Sequence, residues 1–323
     1  MNNEAAYWIT LAHLPKWGYV KLNNLIIRFF HENNLSIEAF FQLSEQEWKS
    51  DYNLEYKDVE DLKKAKNDIP NHAFLAETLM NEGYELIPIT SPLYSKTLKE
   101  NLKYNAPSLL YVKGNTAILQ EDSIAIVGSR NASALSLDFT DHIAKKAGEE
   151  NKVVVSGFAK GVDLKALDSI IQYRGKSIIV LPQGIMTFGS GFRKYYQQII
   201  NGNVLVISTF FPKAPWQAEL AMARNPIIYG LASEIYVAES SEKGGTWSGV
   251  IDGLRKNRKI FVRIPESYEL TANPLLIQKG AIPVDLFGNR TPDTHLLSES
   301  EKPQAIKANN KKNPNNPQPT LFD

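Results

Sequence analysis

The chain has 323 residues, a formal net charge of +1, 43% hydrophobic and 22% charged residues, and no cysteine. That length favours two domains, or one large domain with appendages, and the composition is that of an ordinary soluble globular protein. Zero cysteines exclude disulfides and thiolate metal sites and fit a reducing compartment, while near-neutral charge confines any polyanion-binding surface to a local patch.

The N-terminal stretch Met1–Tyr7 lacks the basic-then-apolar order of a secretory signal. No apolar run approaches the ~18 residues of a membrane span. The expectation is a cytoplasmic protein. Residues 1–83 read as a small helical domain of the SAM or helix-hairpin-helix kind. Val20, Leu22, Leu25, Ile26, Phe29 and Phe30 recur at helical spacing, as do Ile37, Phe40, Phe41 and Leu43, then Val59, Leu62 and Ala65. Ser36 and Ser44 are predicted N-caps, the latter with a capping box formed with Gln46 and Glu47. Such domains often hold a DNA backbone through glycine-rich hairpin turns. Only Gly18 occupies the turn here, so a scaffold role is favoured.

From Tyr84 the pattern changes. Glu85–Ile89 and Pro107–Gly114 are strand-like, and after Ile124 strands and helices alternate. Strands are predicted at 124–127, 153–155, 177–181, 204–208, 234–238 and 259–264, with helices starting near Ser133, Asp163, Gly191, Trp216, Thr246 and Asn273. The fold class is therefore α/β, an extended Rossmann-like, doubly wound, mostly parallel sheet over 84–290. A tail rich in Lys, Asn, Pro and Gln over 297–323 is expected to be disordered.

Two segments concentrate the chemistry. Ile124-Ala125-Ile126-Val127-Gly128-Ser129-Arg130 and Val153-Val154-Val155-Ser156-Gly157-Phe158-Ala159-Lys160-Gly161-Val162-Asp163 each end an apolar run in small residues and one cation. Glycine turns at the carboxyl ends of buried parallel strands expose backbone amides, and Arg130 and Lys160 add charge. The pattern suits a phosphate, on a nucleotide or on a nucleic-acid backbone. Gly244-Gly245-Thr246, leading from a strand into a helix, is a further candidate anion nest. Basic runs at Lys145/Lys146, Arg193/Lys194 and 255–259 are read as solvated faces unless placed beside these loops. Tyr195, Tyr196 and Trp247 are candidate stacking rings.

Ser156-Gly157-Phe158-Ala159-Lys160-Gly161-Val162-Asp163, together with Gly128-Ser129-Arg130, Tyr111–Gly114, Arg224–Ala232 and Leu275–Ala281, resembles the DprA/Smf family of DNA-processing proteins over about residues 84–285. The resemblance implies a non-catalytic single-stranded DNA binder that loads a RecA-like recombinase and works as a homodimer. The DNA- or phosphate-binding set it implies is Gly128, Ser129, Arg130, Ser156, Gly157, Lys160, Gly161, Arg193, Lys194, Arg224, Asn225, Gly244, Gly245 and Thr246. Asp163 reads as a helix N-cap. Where the family usually has Arg-Asn-Arg, this chain has Arg224-Asn225-Pro226, losing one guanidinium.

Two other readings stay open. Gly244-Gly245-Thr246 resembles the loop of cytokinin-activating phosphoribohydrolases, but no carboxylate follows until Asp252, so a nucleotide sensor is favoured over a hydrolase. Gln318-Pro319-Thr320-Leu321-Phe322 resembles the peptide with which bacterial proteins dock on the DNA sliding clamp. The scattered histidines suggest no metal site, and no cofactor fingerprint is present.

Overall fold

The computed structural model describes residues 4–291. The expected disordered tail and the clamp-type peptide lie outside the described residues. The chain opens with helices α1 (Glu4–Ala12), α2 (Tyr19–Ile26), α3 (Ile37–Gln42), α4 (Glu45–Ser50), α5 (Tyr56–Asn67) and α6 (Ile69–Asn81). Both predicted caps form. Ser36 accepts from the Ala39 amide at 3.1 Å, and Ser44 and Glu47 make a reciprocal capping box. Phe29 and Phe40 stack with centroids 4.7 Å apart, and the Trp48 indole N–H donates to the Phe40 carbonyl at 3.0 Å.

An antiparallel pair follows, β1 (Glu85–Pro88) and β2 (Leu109–Lys113), with α7 (Lys96–Leu102) between them. The alternating region then gives β3 (Ser123–Val127), α8 (Ala134–Glu149), β4 (Val153–Ser156), α9 (Val162–Gln172), β5 (Ser177–Val180), α10 (Gly189–Lys194), α11 (Tyr196–Ile200) and β6 (Val204–Ser208). It continues through α12 (Ala218–Ala223), α13 (Asn225–Leu231), β7 (Glu234–Val237), α14 (Gly245–Arg255), β8 (Lys259–Arg263), α15 (Asn273–Gln278) and β9 (Ile282–Val284). The six strands expected after Ile124 are all present within about a residue or two of their predicted bounds. β9 was not anticipated, because three residues around Pro283 carry no strand signal.

The nine strands form one sheet in the order β1-β2-β6-β5-β4-β3-β7-β8-β9. β3 to β9 run parallel to their neighbours, and the β1–β2 hairpin adds to the β6 edge antiparallel. Both faces are covered, which is why the parallel strands read as unbroken apolar runs. The N-terminal helices pack on one face through Trp8, Leu11, Leu25 and Phe41, in the same apolar cluster as Tyr111, Ile179 and Val206 of the sheet. Leu110, Val112, Val155 and Val180 face the opposite side with α7 and α13.

The strand order positions the site. From β3 the chain builds outward through β4, β5 and β6, then returns to place β7 on the other flank of β3. In a doubly wound sheet, the loops after the two strands at this reversal diverge above and below the sheet and leave a crevice at their carboxyl ends.

Phe139 of α8 is fully buried against Ile124, Ile126 and Val154. Phe139→Ala is expected to cost about 3–5 kcal/mol of stability in urea unfolding. A loss below about 1 kcal/mol would contradict this packing.

Candidate functional site

The crevice between β3 and β7 is a cleft of ≈ 440 Å³ whose lining includes Gly128, Ser129, Arg130, Asn225, Lys243, Gly244, Gly245 and Thr246. A second hollow of ≈ 250 Å³, lined by Gly157, Phe158, Lys160, Pro182 and Trp216, adjoins it. The two share Arg130, Ala159, Ala221 and Arg224. Arg130 and Lys160 are exposed, and neither forms an ion pair among the described residues. The segment singled out in the sequence therefore supplies the β3 wall of the cleft and the floor of the adjoining hollow.

Close backbone packing holds these loops. The Ser129 amide donates to the Glu239 carbonyl at 3.0 Å, and the Val162 amide donates to the Ser129 carbonyl at 3.3 Å. Gly161 sits where a side chain cannot: its φ is 86° and an added Cβ would lie 2.4 Å from the Ser129 carbonyl oxygen. Phe158 also has a left-handed backbone, φ 61°. Its ring is held edge-on by Phe188 and Tyr195, with centroids 4.8 and 5.8 Å away. Across the cleft, Gly244 caps α14, so the first amides of that helix line the cavity beside Lys243.

Several expected phosphate contacts are engaged within the fold or lie away from the cleft. Arg224 is 4% exposed, and its Nη1 donates to the carbonyls of Gly157 and Val180. Its Nη2 lies 3.7 Å from Asp163 Oδ2 and its Nε donates to Asn225 Oδ1 at 3.2 Å. The guanidinium thus braces the loop instead of facing solvent. Gly157 makes room for it, since an added Cβ would fall 1.9 Å from Nη1. Ser156 is buried and its hydroxyl donates to the Ile126 carbonyl at 3.1 Å, cross-linking β4 to β3. Arg193 and Lys194 lie in α10, away from the cleft, and Arg193 borders a different hollow with Lys113, Phe192 and Tyr196. Lys194 pairs with Asp168 at 3.3 Å.

Asp163 is not the N-cap either. Gly161 takes that position, and Asp163, one residue into α9, accepts from the Ala159 amide upstream at 3.4 Å. Burial pushes its carboxyl above the usual range, opposed by the charge of Arg224.

A polar network missed in the sequence supports the β7 side. Glu239 Oε2 accepts from the Ser133 amide and the Ser136 hydroxyl, both at 2.8 Å, tying the end of β7 to the start of α8. Arg263 makes two hydrogen bonds of 2.8 Å to Glu269, with exposures of 2% and 6% for the two side chains. Arg263 also donates to the Ala238 carbonyl and the Ser136 hydroxyl at 3.1 and 2.9 Å. Asn273, fully buried, accepts from the Ser240 amide at 2.9 Å. These residues are scattered along the chain, and no local pattern announces that they meet. Lys243 and Trp216 were also missed; the first follows directly from the loop that carries Gly244.

The family described as DNA recombination-mediator protein A has a sequence model that matches residues 85–289. The chain is 29% identical over 256 residues to the DNA processing protein DprA of Streptococcus pneumoniae, covering 77% of this chain and 89% of that protein. It is 29% identical over 204 residues to DprA of Bacillus subtilis, covering 62% and 68% of the two. The X-ray structure of S. pneumoniae DprA superposes with a TM-score of 0.70 at 25% identity, over 88% of this chain and 95% of that one. Helicobacter pylori DNA processing protein A, solved in a study of its single-stranded DNA binding mode, shares the fold. Its TM-score is 0.54 at 24% identity, over 62% of this chain and 90% of that one.

The hydrogen bonds from Arg263 hold the Glu269 carboxyl down at about 2, against an ordinary 4.5. A depressed carboxyl contributes stability that is complete above its unfolded value and lost as pH falls through the folded one. Glu269→Gln is therefore expected to lower stability at neutral pH by about 3–5 kcal/mol. The deficit relative to wild type should shrink between pH 4.5 and 2. Urea unfolding across that range checks it; a constant deficit would contradict the ion pair.

Proposed function

The chain belongs to the DNA recombination-mediator protein A family, and from that premise we propose that it binds single-stranded DNA at the β3–β7 cleft and delivers the strand to a RecA-like recombinase. The observation that carries this is the pairing of two exposed, unpaired cations, Arg130 and Lys160, with amide-lined loops at the strand-order reversal. A phosphate backbone needs both: point charge for attraction, and fixed N–H donors for position. Gly128, Ser129, Gly244, Gly245, Thr246 and Asn225 supply the short polar walls. Lys243 joins them as a third cation.

The reading is one of binding without bond chemistry. The carboxylate lining the cleft, Asp163, is buried and faces Arg224, so it is engaged inside the fold. The helical segment before β1 acts as a scaffold, and the working unit is a homodimer. Action on DNA points to the cytoplasm; among the described residues, no helix is long and apolar enough to cross a membrane. The Gln318–Phe322 peptide, outside the described residues, extends the reading as a tether to a sliding clamp.

Arg130→Ala and Lys160→Ala are each expected to weaken oligo-dT binding with unfolding temperature unchanged. Each should also flatten the dependence of log affinity on log salt by about 0.7, the value for one lost single-strand phosphate contact. Fluorescence anisotropy at two salt concentrations measures both quantities. Tight binding of mononucleotides with no affinity for oligo-dT would overturn the DNA reading in favour of a nucleotide sensor.

A further inference from the structure

A single strand offers a protein two surfaces, its charged backbone and the faces of its unstacked bases. The cations and amides of the cleft address the first. The hollow beside it contains a residue suited to the second. Trp216 is 53% exposed, shares that hollow with Arg130 and Lys160, and makes no hydrogen bond or ring contact among the described residues.

The ring is exposed although the loop beneath it is firmly held. The Gly184 amide donates to the Ala214 carbonyl at 2.9 Å, and the Met186 amide donates to the Pro212 carbonyl at 3.0 Å. Gly184 allows this contact, because an added Cβ would lie 2.3 Å from the carbonyl oxygens of Phe211 and Pro212. Pro215 then fixes one backbone torsion directly before Trp216, and α12 begins two residues after it. A pinned loop presenting a large unpacked ring has already lost most of the freedom that binding would otherwise remove.

We propose that Trp216 is a stacking platform for a nucleobase of the strand whose phosphates lie on Arg130 and Lys160. This rests on the DNA reading of the cleft. Charge selects the occupant: a hollow with two unpaired cations at its rim favours an aromatic group carried on an anion over an apolar peptide side chain. Stacking needs only a π-face, so the subsite tolerates any base and rewards single-strandedness, since bases in a duplex are already stacked.

Trp216→Ala is expected to weaken oligo-dT binding by roughly five- to a hundredfold, and Trp216→Phe by much less. Neither should change the binding of an abasic oligomer of the same length, which keeps the phosphates. Trp8, Trp17 and Trp48 are buried and Trp247 is half-buried against the core, so most of a quench of tryptophan emission by oligo-dT should disappear in the Phe variant, leaving at most the share of Trp247. Equal oligo-dT affinity in wild type and Trp216→Ala overturns the platform and leaves the DNA reading standing. Equal losses for oligo-dT and the abasic oligomer also overturn it, because the ring would then merely shape the loop. No oligo-dT binding by the wild type overturns the DNA reading itself.

Discussion

The cleft is organised around one buried charge. Arg224 enters from the junction of α12 and α13, and its guanidinium bonds the carbonyls at the ends of β4 and β5 while facing Asp163 at the start of α9. Four separate segments meet on that one group. A guanidinium out of water is costly unless its donors are matched, and two carbonyls plus a carboxylate match them. The consequence for function is indirect. The loop 157–161 is thereby held, so Lys160 and Arg130 stay together on the rim of the adjoining hollow.

The topology then decides what those loops can do together. Because β3 lies between β4 and β7, the turn after β3 meets the loops of both neighbours, and Arg130 accordingly borders both hollows. The second wall depends on a different buried pair, Arg263 and Glu269, with Glu239 reaching across to Ser133 and Ser136. Two internal ion pairs thus brace two loop systems, and the rim cations are left unpaired between them. Charges satisfied inside the fold give rigidity, and charges left unpaired at its edge remain free to meet an anion.

Much of this was legible in the sequence, for a physical reason. Apolar run length and spacing report burial directly, so the parallel strands and the helices beginning near Ser133, Asp163, Thr246 and Asn273 were readable before any coordinates. Glycines beside a cation at a strand end were readable too, and the cleft gathers Gly128–Arg130 and Gly244–Thr246 as that pattern implied. What could not be read was the partner of each charge. Arg224 and Arg130 look alike in sequence, yet one is buried among carbonyls and the other is exposed. Arg193 and Lys194 look like rim residues, but α10 carries Arg193 to another hollow and Lys194 into a pair with Asp168. Asp163 has the composition of a cap, but the tight approach of Gly161 to Ser129 gives the cap position to the glycine. In each case tertiary placement overrode local chemistry.

The near-neutral net charge now acquires a specific meaning. With a formal charge of +1, long-range attraction of a polyanion is weak, and recognition falls to a few rim cations and fixed dipoles. Exposed cations are screened by salt within about 10 Å, whereas amides held against a bound phosphate and a ring stacked on a base act at contact and are screened far less. A protein built this way gains little from the charge of nucleic acid in general and more from the features of an unpaired strand, a flexible backbone that can enter a crevice and bases free to leave their stack. On the proposed reading, preference for an unpaired strand needs no strongly basic surface.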